Sequence, residues 1–174
     1  MKKISAAIAT TILSACSAMP VVTTQPVNLP SHVAEVVCVL IPAAATFGGK
    51  FYAGSGDEVA EKIREAIEKT GNSARLVSQA QTDPIANCRG NGSSLILQPT
   101  IIYYEDNLTG WSGKPDQISI QLTLYPINQP DQKRSTVYTA RSNLVYSAFL
   151  EWGNAKPSAL LGDEFVASLR QLLP

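Results

Sequence analysis

The chain has 174 residues, with 14 Lys+Arg against 14 Asp+Glu, 16% charged and 45% hydrophobic. A disordered chain would be less apolar and more charged, a nucleic-acid binder would show a basic excess or stripe, and no apolar run reaches the ~18 residues of a membrane-spanning helix. What remains is one compact domain behind an N-terminal segment of different character.

Lys2 and Lys3 form a short positive region, and residues 4–13 are mostly Ala, Ile, Thr and Leu, about the length of a signal peptide's apolar core. Leu13-Ser14-Ala15-Cys16 follows. This order resembles the bacterial lipobox: an apolar residue, two small ones and a cysteine. The chemistry needs it, because small side chains let the backbone extend into a peptidase groove and the thiol accepts diacylglycerol before cleavage. Cys16 is therefore the expected lipidation site, with 1–15 as the signal peptide. An ordinary secretory signal with an incidental Cys16 is one alternative, and a buried N-terminal helix is another. Acyl chains on Cys16 would hold the protein on a bilayer, since each buried methylene contributes ~0.8 kcal/mol. Loss of residues 1–15 removes two lysines and leaves 12 basic against 14 acidic residues. Ser17 follows the cysteine where an Asp would favour inner-membrane retention. By resemblance to bacterial lipoproteins, that implies the outer membrane, with the domain facing the periplasm.

Residues 16–32 read as the lipidated cysteine and a flexible tether. The stretch 17–31 holds three prolines and no charge, and fully extended it would span ~45 Å. Residues 33–174 read as a single domain. Val36 to Ile41 is a six-residue apolar run ended by Pro42, the pattern of a strand buried on both faces. Residues 43–54 form a loop. A helix is expected over 56–70: Ser55 and Glu58 have capping-box spacing, Val59, Ile63, Ala66 and Ile67 share a face, and Gly71 supplies the stop.

Arg75 to Val77 is a short strand, and Asp83-Pro84 reads as the cap and first residue of a brief helical stretch over 84–89. Residues 94–104 are β-rich, and Pro99 within them implies a bulge or an edge. Over 117–125, Ile118, Ile120, Leu122 and Leu124 alternate with polar residues, and 134–143 can pair with that strand. Over 158–172, Leu161, Phe165, Leu169 and Leu172 fall on one helical stripe, with Gly162 weakening the first turn. The order β-α-β-β-β-β-α, with the short helix after the second strand, predicts an α+β two-layer fold. Its sheet is mixed and largely antiparallel, with helices packed on one face.

An oxidising periplasm makes Cys38 and Cys88 a disulfide candidate. The bond would close a loop of 50 residues, worth ~4 kcal/mol in loop entropy. Two separate buried thiols are the alternative. No Cys-x-x-Cys is present to suggest redox catalysis. His32 is the only histidine, so neither a His/Cys metal site nor a His-based catalytic pair is expected, and no cofactor is implied. Gly54-Ser55-Gly56 lacks the lysine and glycine spacing of a phosphate loop. The richest stretch runs from Tyr103 to Asp116. It makes Tyr104, Glu105, Asp106, Trp111, Lys114 and Asp116 a candidate binding surface, or else a structural connection between strands. Glu105 and Asp106 would point to opposite sides of an extended chain, a poor geometry for a catalytic dyad.

The lipobox, Gly54-Ser55-Gly56, Gln98-Pro99-Thr100-Ile101 and Glu105-Asp106 followed by Trp111-Ser112-Gly113-Lys114-Pro115-Asp116 together resemble a proteobacterial lipoprotein family of unknown function. The chain departs from that pattern at Tyr104 and Asn107, where Trp and Arg are expected. The resemblance carries no activity with it. The element order is also similar to the small α/β domain of the curli-secretion lipoprotein, the N-terminal domain of the Tol-system translocation protein and the activators of peptidoglycan synthases. Likeness of that kind does not set function. The expectation is a non-catalytic outer-membrane lipoprotein that binds a protein partner or an envelope component such as peptidoglycan. The alternatives are an envelope hydrolase of glycan or peptide using Glu105, Asp106 or Asp116, and a structural subunit of an envelope assembly.

Overall fold

The computed structural model describes residues 21–23, 35–107, 113–142 and 156–174. The expected signal peptide, Cys16, His32 and Trp111 lie outside these residues. The described chain forms a mixed α+β domain. Its strands are β1 (Val21–Thr23), β2 (Val36–Ile41), β3 (Thr46–Phe47), β4 (Lys50–Phe51), β5 (Ser73–Ser78), β6 (Leu95–Glu105), β7 (Gln117–Pro126) and β8 (Arg134–Arg141). Its helices are α1 (Ser55–Glu68), α2 (Pro84–Gly90) and α3 (Asp163–Leu172), with a 3₁₀ turn at Pro157–Leu160.

Six strands make the main sheet in the order β1-β8-β7-β6-β2-β5. β2 runs parallel to both β5 and β6, while the β6-β7-β8-β1 half is antiparallel. The alternating residues Ile118, Ile120, Leu122 and Leu124 all face the core beneath α1 and α3. That core also takes Val37 and Val39 from β2, Ile63 and Ile67 from α1, and Phe165 and Leu169 from α3. Tyr138 of β8 meets Phe165 edge-on at 5.0 Å, a favoured aromatic geometry.

The two long helices share one face, but α2 lies on the other. Cys88 of α2 packs with Cys38, Leu40, Val77, Ile96 and Tyr125, the side chains that alternate away from the main core. Chain connectivity explains the split. From β2 the chain crosses to β5 through α1, then returns past β2 to β6 through α2. Crossovers between parallel strands keep one hand, so opposite directions across a sheet place their helices on opposite faces. Cys38 and Cys88 are disulfide-bonded, with Cα atoms 5.5 Å apart.

Several local expectations change. The loop expected over 43–54 contains the β3–β4 hairpin, which turns at Gly48-Gly49. Val21–Thr23, within the segment read as tether, pairs with Val137, Thr136 and Ser135 of β8. Pro99 lies inside β6 because the β2 partner ends at Leu97, so its missing N–H falls on an unpaired edge. The bulge comes later, between Ile101 and Tyr103. The C-terminal helix is split, with the 3₁₀ turn before it and Gly162 as the N-cap of α3. Asp83 caps α2 as expected, its carboxylate accepting from the Ala86 N–H at 2.8 Å.

Candidate functional site

The expected helix appears as α1, but its capping box does not form. Gly54 is the N-cap, with φ of 78°, a conformation that favours glycine. The Ser55 hydroxyl turns instead to the Ala45 N–H, accepting at 2.8 Å and holding the base of the β3–β4 hairpin. Gly56 comes so close to β2's end that a Cβ there would sit 2.2 Å from the Pro42 carbonyl oxygen. Each residue of Gly54-Ser55-Gly56 thus has a structural task. The tight contact locks the start of α1 onto the chain leaving β2.

The candidate surface around the β6–β7 connection separates into buried and exposed parts. Along β6, Leu95, Leu97 and Ile101 face the main core. The bulge at Ile102 then shifts the alternation by one, so Tyr104 turns inward and is 3% exposed. Tyr104 packs on Tyr52 with ring centroids 5.1 Å apart. Asp116 is also 3% exposed. Its carboxylate accepts from the Asn107 N–H at 2.7 Å, and its own N–H donates to the Ser142 hydroxyl at 2.9 Å. Asn107 donates a further bond to the Pro115 carbonyl at 2.8 Å. The placement of Tyr104 and Asp116 on a contact surface is therefore corrected: the first belongs to the core, and the second clamps the base of the connection. Replacing Asp116 with alanine strands the Asn107 N–H and should cost ~2 kcal/mol. Urea unfolding reads this, with Asp116→Asn losing less because it keeps an acceptor.

Glu105 and Asp106 are half-buried, and Lys114 is exposed. Glu105 accepts from the Tyr103 hydroxyl at 2.6 Å, which holds the phenol proton and raises the Tyr103 pKa. Tyr103 in turn packs on Phe47 of the hairpin, centroids 4.1 Å apart. Lys50 lies over the Tyr52 ring at 4.6 Å. Phe51 and Ile102 are 63% and 55% exposed.

A second feature lay beyond sequence reasoning. An open groove of about 510 Å³ runs beside the start of α1, lined by Asp57, Glu58, Glu61, Lys62, Lys156, Ser158 and Ala159. Glu58 pairs with the Lys156 ammonium and accepts from the Ser158 hydroxyl at 3.4 Å. These partners are about 100 positions apart, so no local motif announces them. Burial, with the Glu58 charge nearby, pushes the Tyr104 pKa up to about 12.

Below pH ~10, the usual tyrosine value, Tyr104 is protonated in both the folded and unfolded chain and subtracts nothing. Between ~10 and 12 the unfolded chain gives up the proton first, so stability falls as pH rises. Tyr104→Phe should flatten that alkaline decline, measured as urea midpoints across the window.

No family model matches the sequence, and no curated protein does. Solved structures do. The chain is similar to the PelC dodecamer protein from Paraburkholderia phytofirmans, with a TM-score of 0.53 at 11% identity, covering 91% of this chain and 94% of that one. Lipoprotein GNA1162 from Neisseria meningitidis matches with a TM-score of 0.49 at 12% identity, over 79% of this chain and 96% of that one. Protein XCC0632 from Xanthomonas campestris, of DUF330, matches with a TM-score of 0.47 at 18% identity, over 88% and 93%. At 11% identity the PelC likeness is one of fold.

Proposed function

We propose that this protein is an outer-membrane lipoprotein, anchored through acylated Cys16, whose periplasmic domain binds a protein partner or an envelope component without catalysing a reaction. The observation that carries the reading is the bond between Cys38 and Cys88. Structural disulfides persist in oxidising compartments, which agrees with a leader ending in Leu13-Ser14-Ala15-Cys16. Glu105, Asp106 and Lys114 are the members of the expected contact surface that retain solvent access among the described residues. The hydrolase reading loses support, since Asp116 is buried as a backbone acceptor and Glu105 is engaged with Tyr103.

In-cell crosslinking followed by mass spectrometry tests the partner. Wild type should give crosslinks at 105–114 to an envelope component, and these should weaken in a Glu105→Lys/Asp106→Lys variant. Crosslinks unchanged in that variant would reject this surface. The structural-subunit reading stays as the second possibility because PelC, with a similar fold, is a dodecamer. Native mass spectrometry of the protein lacking its leader separates the two: a multimer supports the subunit, a monomer the partner-binding domain.

A further inference from the structure

We infer that one end of the sheet, carrying Lys50 and Phe51 of the β3–β4 hairpin and Ile102 of the β6 bulge, lies against the bilayer that holds Cys16. This rests on the lipoprotein reading above and adds an orientation to it. Direction of the chain carries the inference. β1 pairs Val21 with Val137 and Thr23 with Ser135, so the chain enters β1 from the end of the sheet where β8 finishes. That end is also where β6 finishes and β7 begins, since Glu105 pairs with Gln117 and Gln117 with Arg141. The β3–β4 hairpin is there too, because Phe47 stacks on Tyr103.

Chain length limits how far Cys16 can lie from the same place. β8 runs four residues past Val137 to Arg141, ~13 Å at the rise of a strand. Cys16 precedes Val21 by five residues, a reach of at most ~17 Å. With β1 paired to the sheet, chain length keeps the level of this end within reach of Cys16. A fully extended tether from 17 to 31 would have kept the domain away from the membrane, and the pairing of β1 with β8 removes that clearance.

The side chains at this end suit an interface between water and acyl chains. Phe51 is 63% and Ile102 55% exposed, and a lysine beside an exposed aromatic places its ammonium among headgroups while the apolar part sinks. Glu105 and Asp106 share the end, so the envelope component proposed to meet them would itself lie at the membrane surface, and Glu105 is drawn to the Tyr103 hydroxyl. Apolar contact, held in register by the anchor, therefore seats the domain, and attraction to anionic lipid is secondary.

The test uses the acylated protein, starting at Cys16, in phosphatidylethanolamine–phosphatidylglycerol nanodiscs doped with a gadolinium-chelating lipid, read by amide NMR, with the mass at Cys16 measured on the same sample. Broadening should concentrate at 46–51 and 102–106 and spare 127–133 at the opposite end. It should be lost from the first two segments in Phe51→Glu/Ile102→Glu, whose acyl mass is unchanged. Uniform broadening, or broadening at 127–133, with the acyl mass present overturns the orientation and leaves the lipoprotein reading standing. A Cys16 without acyl mass overturns both.

Discussion

Replacing Cys38 and Cys88 together with alanine should lower the stability of the domain by ~4 kcal/mol. The bond closes a separation of 50 residues between β2 and α2, and the loop-entropy model sets the size of the loss. The loss also has a location. α2 has seven residues, and Cys88 is its buried one. A helix that short is not stable by itself in water. Without the sulfur link, its hold on the face formed by Leu40, Val77 and Ile96 is a single small side chain. Hydrogen exchange should therefore speed up first over 84–90, while β7 and β8 keep their protection. Denaturant unfolding of the double variant against the oxidised wild type measures the total. A difference within ~1 kcal/mol would mean that the bond adds little beyond the packing of two small apolar groups.

Gly56→Ala should be destabilising by ~3 kcal/mol, against the trend for alanine in a helix. Ordinary propensity would favour alanine over glycine by ~1 kcal/mol. Here the added carbon would stand 2.2 Å from the Pro42 carbonyl oxygen, which belongs to the backbone and cannot rotate aside. Relief requires the start of α1 to lift from the chain leaving β2, and that would loosen the Ser55–Ala45 bond and Val59 in the core. Gly90→Ala is the control. It also lies in a helix, with nothing within 4 Å of the position a Cβ would take, so it should be neutral or slightly stabilising. Thermal unfolding of the two variants should give shifts of opposite sign or very different size. Equal shifts would show that propensity, and not the Pro42 contact, governs both.

Where a side chain's surroundings are set by its own strand or helix, the sequence was readable. Alternation from Ile118 to Leu124 reports a sheet with one face in the core, and it does so whatever the partner strands are. Val59, Ile63 and Ile67 report the buried face of α1 in the same way. Readability ends where one irregular residue changes the parity of those after it. Tyr103 and Tyr104 look equivalent in sequence, yet the bulge at Ile102 sends the second into the core and the first to Phe47 and Glu105.

It ends also where a polar residue has two possible partners. Ser55 is well placed to cap α1, but Gly54 takes the cap and frees the hydroxyl for Ala45. Glu58, the other half of the expected capping box, serves Lys156 and Ser158 instead. Asp116 reads as an exposed acid in a turn until Asn107 and Ser142 close around it. Short pairings such as β1 with β8 leave no periodic signature, because three residues are too few to show one.

The proposed lipid anchor at Cys16 would govern where the protein resides and which surfaces meet the membrane. Intact-mass and N-terminal peptide analysis of the protein purified from its native membrane fraction tests it most directly. The expected result is a chain that starts at Cys16, carries diacylglycerol and an amide-linked acyl chain there, and keeps Cys38 bonded to Cys88. A chain that retains Met1, or begins elsewhere, with an unmodified thiol at position 16 would contradict it.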